Sequence, residues 1–302
     1  MTRKEFLEQT YLDNWAKRLP KVLPFYQNPA SAYIAPFQIA DNLYYVGDKK
    51  VCVHLLDTGD GLILFDAGYY CTEALLIESI WRAGFDPKDV KWIIHTHAHF
   101  DHYGASVLFR NLYGTKLAIS RVDAEHFAEM PSRGHTDHSS LRYGQDPESF
   151  DRLLEDGEIF ELGNAKIRCV LTPGHTVGVL TFFFDVTWDG KTYLAGLFGG
   201  AGTNSMGLVY GTHNAEAPDM TDRMLESIDK VWDEPVVVHL GNHPYNSKTL
   251  QKRAKQLEEG GNPFIDPDSW HRFLTELRED TQAVAEKNKA MSAALDVLFG
   301  KE

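Results

Sequence analysis

Cysteine is scarce in this chain, and its scarcity excludes a whole class of fold. Cys52, Cys71 and Cys169 are odd in number and far apart, so they cannot form the disulfide framework of a small secreted protein. Cys52 and Cys169 sit in apolar, strand-like runs and are expected as small core residues. Cations are outnumbered as well: 30 Lys and Arg face 43 Asp and Glu, for a formal net charge of −13. That field repels phosphate backbones and anionic lipid surfaces unless a strong basic patch intervenes. The lysines and arginines are scattered, and pairs such as Lys49-Lys50 and Lys252-Arg253 read as solvated surface. Neither nucleic acid nor membrane is therefore an expected partner; a small-molecule substrate is.

Long apolar runs are lacking too. None approaches the roughly 20 residues of a membrane span, and the opening Met-Thr-Arg-Lys-Glu-Phe-Leu-Glu-Gln-Thr has no apolar core of the signal-peptide kind. The chain is expected to be cytoplasmic, or periplasmic or secreted if a leader was removed before this numbering. Nothing in the sequence sets an oligomeric state.

With 302 residues, 43% of them hydrophobic, the chain is long enough for one large core or two fused ones. Residues 1–30 read as an arm: Phe6, Leu7, Tyr11, Leu12 and Trp15 stand at helical spacing, and Pro20, Pro24 and Pro29 are expected to break the helix. Residues 31–302 read as a single domain without a linker. From Phe37 the pattern turns to strands, at 42–46, 51–57 and 62–66, the last ending in Asp66-Ala67-Gly68. Thr72 is a candidate N-cap for a helix with Leu76, Ile77, Ile80 and Trp81, stopped by Gly84. A strand at 90–94, a helix at 103–112, a strand at 116–120 and a helix at 122–130 follow. The polar segment 131–147, with His135 and His138, is expected to leave the core as a lid or a surface loop. Strands resume at 158–162 and 165–171, with a hairpin of 180–186 and 192–198. After Gly199-Gly200-Ala201-Gly202 come a helix carrying Met224, Leu225, Ile228 and Trp232, a strand at 236–240, and two closing helices. The last of these carries Trp270, Phe273, Leu274 and Leu277 on one face.

The chemistry concentrates in His95-Thr96-His97-Ala98-His99-Phe100-Asp101-His102, directly after the apolar run that ends at Ile94. Imidazole and carboxylate are the ligands that zinc and similar metals prefer. Side chains two apart in an extended segment point the same way, so His97, His99 and Asp101 can converge on one place. His102 would project from the first turn of a following helix.

The run His97-Ala98-His99-Phe100-Asp101-His102, the later Pro173-Gly174-His175-Thr176 and the distal Asn242-His243-Pro244 resemble the metallo-β-lactamase superfamily. Asp66-Ala67-Gly68 matches too, so the resemblance spans nearly the whole chain. It implies an α/β fold, the four-layer αβ/βα metallo-β-lactamase sandwich. Many members place a bridging aspartate at the end of a strand between the third and last histidines. Here the run from Tyr193 to Gly200 ends without an acid, a cysteine or a serine. This is similar to the third subclass of metallo-β-lactamases, in which Asp, His and His hold the second zinc. The stretches 37–47, 152–175 and 262–267 add to that likeness. The subclass usually has a serine near the position of Gly200, so this chain departs there.

The resemblance implies two Zn2+ per chain, the first bound by His97, His99 and His175 and the second by Asp101, His102 and His243. Three protein ligands per ion leave positions open, the mark of a catalytic site. A hydroxide shared by the two ions would attack the cyclic amide of a β-lactam, with Asp101 as the catalytic residue that orients it or accepts its proton. Such an activity would confer antibiotic resistance. The alternative is a lactonase or other ester hydrolase on the same ligands, against which the missing bridging aspartate weighs. A binding protein that had lost catalysis would be expected to lack ligands, and none is missing. Around this set, Asp66 is expected to hydrogen-bond to the metal ligands. His95 is expected to be buried and not a ligand, and His239 to be a satisfied strand histidine. His135, His138 and His213 read as polar loop residues. Tyr69, Phe100, Tyr103 and Tyr210 are candidates for the pocket wall, with the core as their default place.

Overall fold

Alternation along the strands builds two sheets that face each other. The computed structural model describes residues 1–128, 149–214 and 217–300. The first sheet has seven strands in sequential order: β1 (Phe37–Ala40), β2 (Leu43–Tyr45), β3 (His54–Asp57), β4 (Leu62–Phe65), β5 (Val90–Ile94), β6 (Lys116–Ser120) and β7 (Arg152–Leu154). Its first four strands are antiparallel neighbours, and β4 to β7 run parallel. The second sheet has the order β12 (Val238–Gly241), β11 (Lys191–Phe198), β10 (Leu180–Trp188), β9 (Ala165–Leu171) and β8 (Ile159–Leu162). Within it only β11 and β12 pair in parallel.

Successive side chains of a strand point to opposite faces, and the buried residues sort accordingly. Ile63 and Phe65 of β4 enter the layer between the sheets, where they meet Phe182, Phe184 and Leu197. Phe65 stacks on Phe184 with ring centroids 4.8 Å apart. The alternate β4 residues Leu62 and Leu64 turn outward to α2 (Glu73–Arg82) and α4 (Ser106–Tyr113), against Leu76, Ile80 and Phe109. On the far side, Phe183 and Phe198 meet α7 (Met220–Val231) and α9 (Ser269–Phe299) through Met224, Ile228, Trp270 and Leu274. Three apolar layers between four structural layers are the expected αβ/βα sandwich. Among the described residues, no helix is long and apolar enough to cross a membrane.

Several local expectations are corrected. Helix α1 runs from Arg3 to Gln27 straight through Pro20 and Pro24. The two carbonyls that lose their partners belong to exposed Ala16 and Pro20, where water reaches them. Its N-terminal end is tied to the end of α9 by Arg3, which donates to Asp296 and Ser292. Near its C-terminal end Phe25 packs on Tyr69 at 5.0 Å. The helix expected from Tyr103 begins earlier, as α3 (Phe100–Tyr103), and is interrupted before α4. Thr72 precedes α2 but does not cap it; its hydroxyl donates to the Tyr69 carbonyl. The strand expected at 51–57 is confined to β3, and that at 236–240 to β12. Lys252, expected on solvated surface, is only 9% exposed, on α8 (Thr249–Glu259). The helix from 122 appears as α5 (Arg121–Ala128), and its last expected residues, with the 131–147 excursion and its His135 and His138, lie outside the described residues. His213 lies within α6 (Leu208–Asn214). All three cysteines are free, with Cys52 and Cys169 buried.

Truncating Phe182, fully buried between the sheets, tests the shared core. Phe182→Ala should lower stability by about 3–5 kcal/mol, while Leu298→Ser on the exposed end of α9 should stay within about 0.5 kcal/mol. Urea denaturation of both variants reads the difference.

Candidate metal centre

Every side chain of the centre leaves the same edge of the sandwich. β4 and β5 run parallel with Phe65 opposite Ile94, so Asp66 and the histidine segment emerge side by side. Asp66 turns there at φ 65°, a left-handed conformation that aspartate adopts more readily than most residues. Its buried carboxylate accepts from the Thr96 amide at 2.8 Å, the Thr96 hydroxyl at 2.9 Å and His102 Nδ1 at 2.7 Å. His175 follows β9, and His243 follows β12. Gly104 lets α3 approach the 68–70 turn: its amide donates to the Gly68 carbonyl at 2.7 Å, and a Cβ there would lie 2.1 Å from the Tyr70 nitrogen.

Two triads result, and each brings its ligand atoms within 4.8 Å of one another. In the first, His99 Nδ1 lies 3.1 Å from His97 Nε2 and 3.0 Å from His175 Nε2. In the second, Asp101 Oδ2 lies 3.7 Å from His102 Nε2 and 3.6 Å from His243 Nε2. The alternation reading is therefore half right. His97 and His99 converge, but Asp101 sits in the first turn of α3 and joins the other triad.

The outer ring nitrogens show what the inner ones can do. His97 Nδ1 donates to the Gly199 carbonyl at 2.8 Å, His175 Nδ1 to the Gly202 carbonyl at 2.7 Å, and His243 Nδ1 to the Lys50 carbonyl at 2.8 Å. A carbonyl only accepts, so each of these rings turns an Nε2 lone pair inward. Asp66 does the same for His102, whose buried Nε2 has no hydrogen-bond partner among the described residues. Inward lone pairs with a carboxylate between them suit a cation. Nitrogens bound at 2.0–2.1 Å to one tetrahedral ion would stand roughly 3.3 Å apart, close to the spacing of the first triad. The donor set fits a metal ion in each triad.

Electrostatics agree with that fit. Burial, helped by the neighbouring imidazoles, holds His97 well below the usual histidine range, and burial takes His175 down to about 4. Both rings are thus neutral and ready to ligate at neutral pH. Burial also lowers His243. For His102 burial is outweighed by the Asp101 and Asp66 carboxylates, and its pKa is raised. Burial works against the Asp101 carboxylate, but His102 and His243 pull its pKa below the usual value. The two carboxylates thus favour positive charge at His102, while burial disfavours it on His97, His175 and His243.

One supporting residue has no signal in the sequence. Asp123, in α5, is fully buried. Its carboxylate accepts from the Ala98 amide at 2.9 Å, the Thr176 hydroxyl at 2.8 Å and the Gly178 amide at 2.7 Å. It clamps the His97–His99 loop to the His175 loop, although burial pushes its own pKa up to about 6. In the sequence it reads as an ordinary acid in a first helical turn. The other candidates separate cleanly. His95 is buried, bonded to the Ala118 carbonyl and the Ser106 hydroxyl, and takes no part in either triad. Tyr103 packs on His95 in the core, whereas Tyr69 contacts Phe25, Tyr26 and Phe100. Tyr210 pairs with Tyr11 and belongs to neither triad. Tyr245, not anticipated, stacks on His243 with centroids 5.3 Å apart. His239 is only half satisfied: Nδ1 meets Ser269 Oγ at 3.2 Å, and Nε2 has no partner among the described residues.

Comparison with known proteins points the same way. A family model described as the metallo-beta-lactamase superfamily matches residues 47–187. A probable metallo-hydrolase of Burkholderia pseudomallei is 30% identical over 142 residues, 40% of this chain and 46% of that protein. A hydroxyacylglutathione hydrolase of Acidiphilium cryptum is 30% identical over 111 residues, 37% of this chain and 36% of that protein. The chain thus spans less than half the length of these curated relatives. Among solved structures, BJP-1, a subclass B3 metallo-beta-lactamase of Bradyrhizobium japonicum, is 27% identical. It superposes with a TM-score of 0.76 over 86% of this chain and 97% of that one.

Two substitutions test the supports. Asp123→Ala leaves two buried amides without acceptors, which should cost about 2–4 kcal/mol and lower metal retention, read by thermal denaturation and metal analysis. At Gly200 a Cβ would lie 2.9 Å from the His175 Cβ and from Val179. Gly200→Ser should therefore overpack the His175 loop, at about 1–3 kcal/mol, and weaken metal binding; a gain in metal affinity would contradict this account.

Proposed function

We propose that the chain is a di-zinc hydrolase of the metallo-beta-lactamase superfamily that opens the cyclic amide of β-lactams. His97, His99 and His175 would hold one Zn2+, and Asp101, His102 and His243 the other. The observation that carries this reading is the second triad, Asp101 with His102 and His243. It stands where β11 ends in Gly199-Gly200 and offers no acid. The likeness to a subclass B3 enzyme supports it.

Bound at the two triads, the ions would supply Lewis acidity, polarising the scissile carbonyl and lowering the pKa of water to about 7. The chain's own residues do the rest. Asp101, whose pKa His102 and His243 draw below the usual value, would orient the attacking water and accept its proton. Asp66 and the Gly199, Gly202 and Lys50 carbonyls hold the imidazoles in one tautomer and one orientation. Tyr245 stacks on His243 and would offer its other ring face to the apolar part of a substrate. Neither a serine nor a cysteine nucleophile is required.

A second reading keeps the centre and changes the electrophile. The relative named hydroxyacylglutathione hydrolase supports an ester, lactone or thioester as the acyl compound. Both readings need the same ligands, so substrates must separate them.

Zinc-loaded protein should hydrolyse a chromogenic cephalosporin, and His97→Ala should abolish turnover. Faster turnover of acyl-homoserine lactones or a glutathione thioester than of any β-lactam would favour the second reading. His243→Ala should lose the ion of the second triad and keep that of the first, by metal analysis of the same sample; unchanged metal content and rate would refute the assignment. Chelation should lower the melting temperature, since an ion present at about 1,000 times its Kd contributes about 4 kcal/mol.

A further inference from the structure

A second concentration of charge lies outside the metal centre. A cavity of about 350 Å3 opens between the first turns of α8 and α9, and its walls include Lys248, Lys252, Lys255 and Arg272. In a chain of net charge −13, four cations around one hollow stand out. Three of them are compensated: Lys248 by Glu276 at 3.3 Å, Lys255 by Glu259 at 3.7 Å, and Arg272 by Asp266 at 2.5 Å.

Lys252 is different. It is 9% exposed, its ammonium donates to one neutral oxygen, Ser269 Oγ at 3.1 Å, and Phe264 presents its ring 5.9 Å away. Among the described residues it forms no ion pair. Burial draws its pKa down to about 8, so near neutral pH it remains charged. An ammonium withdrawn from water without a counter-ion is costly, and an anion in the cavity would remove that cost.

The surroundings are suited to one. Neither α8 nor α9 has a side-chain cap at its start. Both first turns line the cavity, through Lys248 and Gln251 on one side and Ser269 and Arg272 on the other. The first amide of each helix is already engaged, Thr249 with the Pro244 carbonyl and Ser269 with the Asp266 carbonyl, and what the two N-termini bring to the hollow is their positive dipole ends. The rest of the wall is mixed: Pro263, Ile265 and Phe273 are apolar, Asn246 and Ser247 are polar, and Asp266 and Glu276 are the carboxylates already paired with Arg272 and Lys248. The volume falls in the range of about 300–1,000 Å3 usual for small ligands.

We propose that this cavity binds a small phosphate monoester. The phosphate sits against Lys252 Nζ, Ser269 Oγ and the first turns of α8 and α9, and the ester group lies on Pro263, Ile265 and Phe273. A phosphate monoester carries between one and two negative charges and three strong acceptor oxygens, which matches several donors converging with one unpaired cation. A monocarboxylate would leave part of that set unmet. The site is separate from the metal centre but connected to it. Asn246, in the cavity wall, donates to Asn242 at 2.6 Å, and Asn242 donates at 2.8 Å to the Gly199 carbonyl that also holds His97.

Calorimetric titration of the metal-loaded full chain with phenyl phosphate and with inorganic phosphate tests the assignment. Phenyl phosphate should bind saturably and more tightly than inorganic phosphate. Lys252→Met should weaken it by roughly tenfold or more, as expected for loss of a charge-assisted hydrogen bond. Lys255→Gln, a milder change on the same wall, should weaken it about two- to threefold, and it carries the comparison if Lys252→Met folds poorly by circular dichroism. His97→Ala should leave the affinity unchanged. Absence of binding, or equal affinity in both lysine variants and wild type, would overturn the proposal. Binding lost in His97→Ala and kept in Lys252→Met would move the anion to the metal centre and overturn it as well. Inorganic phosphate binding as tightly as phenyl phosphate would overturn the ester assignment.

Discussion

The buried carboxylate of Asp66 is the constraint on which the centre depends. It has left water entirely, and three donors hold it: the Thr96 amide, the Thr96 hydroxyl and His102. Its left-handed turn at the end of β4 aims it across to the segment that follows β5. Removing an acceptor of this kind would strand buried donors on the very loop that carries four of the six candidate ligands. Asp123 repeats the device one strand further on, binding the Ala98 amide between His97 and His99 to the loop that carries His175. Two buried carboxylates, neither of them in a triad, therefore fix the relative position of three loops.

The layered packing explains why so many charged and polar groups can be buried there at all. Phe65, Phe182 and Phe184 fill the space between the sheets, and the strands stop together at one edge. Beyond that edge the backbone supplies acceptors from Gly199, Gly202 and Lys50. His97, His175 and His243 thus each donate a ring N–H to a carbonyl and His102 donates to Asp66, so each of these four rings offers a lone pair inward, the state a metal ligand must be in. The same sandwich leaves a second junction, where the first turns of α8 and α9 meet around Lys252. There the imbalance has the opposite sign: a buried cation in place of a set of inward lone pairs.

Much of this is legible in the chain itself. Apolar strand-like runs such as 62–65 and 180–186 and the apolar face of α9 mark where strands and a helix bury side chains, and the two-sheet sandwich with helices outside is what the family resemblance implies. The histidine run, with His175 and His243 downstream, carries the candidate ligands, and the missing acid near Gly200, set beside the family resemblance, implies which kind of second triad to expect. The boundaries were less legible. Pro20 and Pro24 look like breakers, yet α1 continues because its unpaired carbonyls are exposed. Gly104 and Ala105 look helical, yet the chain must leave the helix there to lie against the 68–70 turn.

The sequence by itself determined which side chains can ligate and which stretches bury an apolar face, because both are properties of residue type and short-range period. Only the tertiary structure decided that Asp101 parts from His97 and His99, which ring nitrogen of each histidine faces inward, that Asp123 is a clamp, and that Lys252 is withdrawn from water. Each of those depends on a partner far away in the chain, such as Gly199 for His97 or Ser269 for Lys252. Local composition carries no record of such a partner. A hydrogen bond or a buried charge is defined by what folding brings next to it.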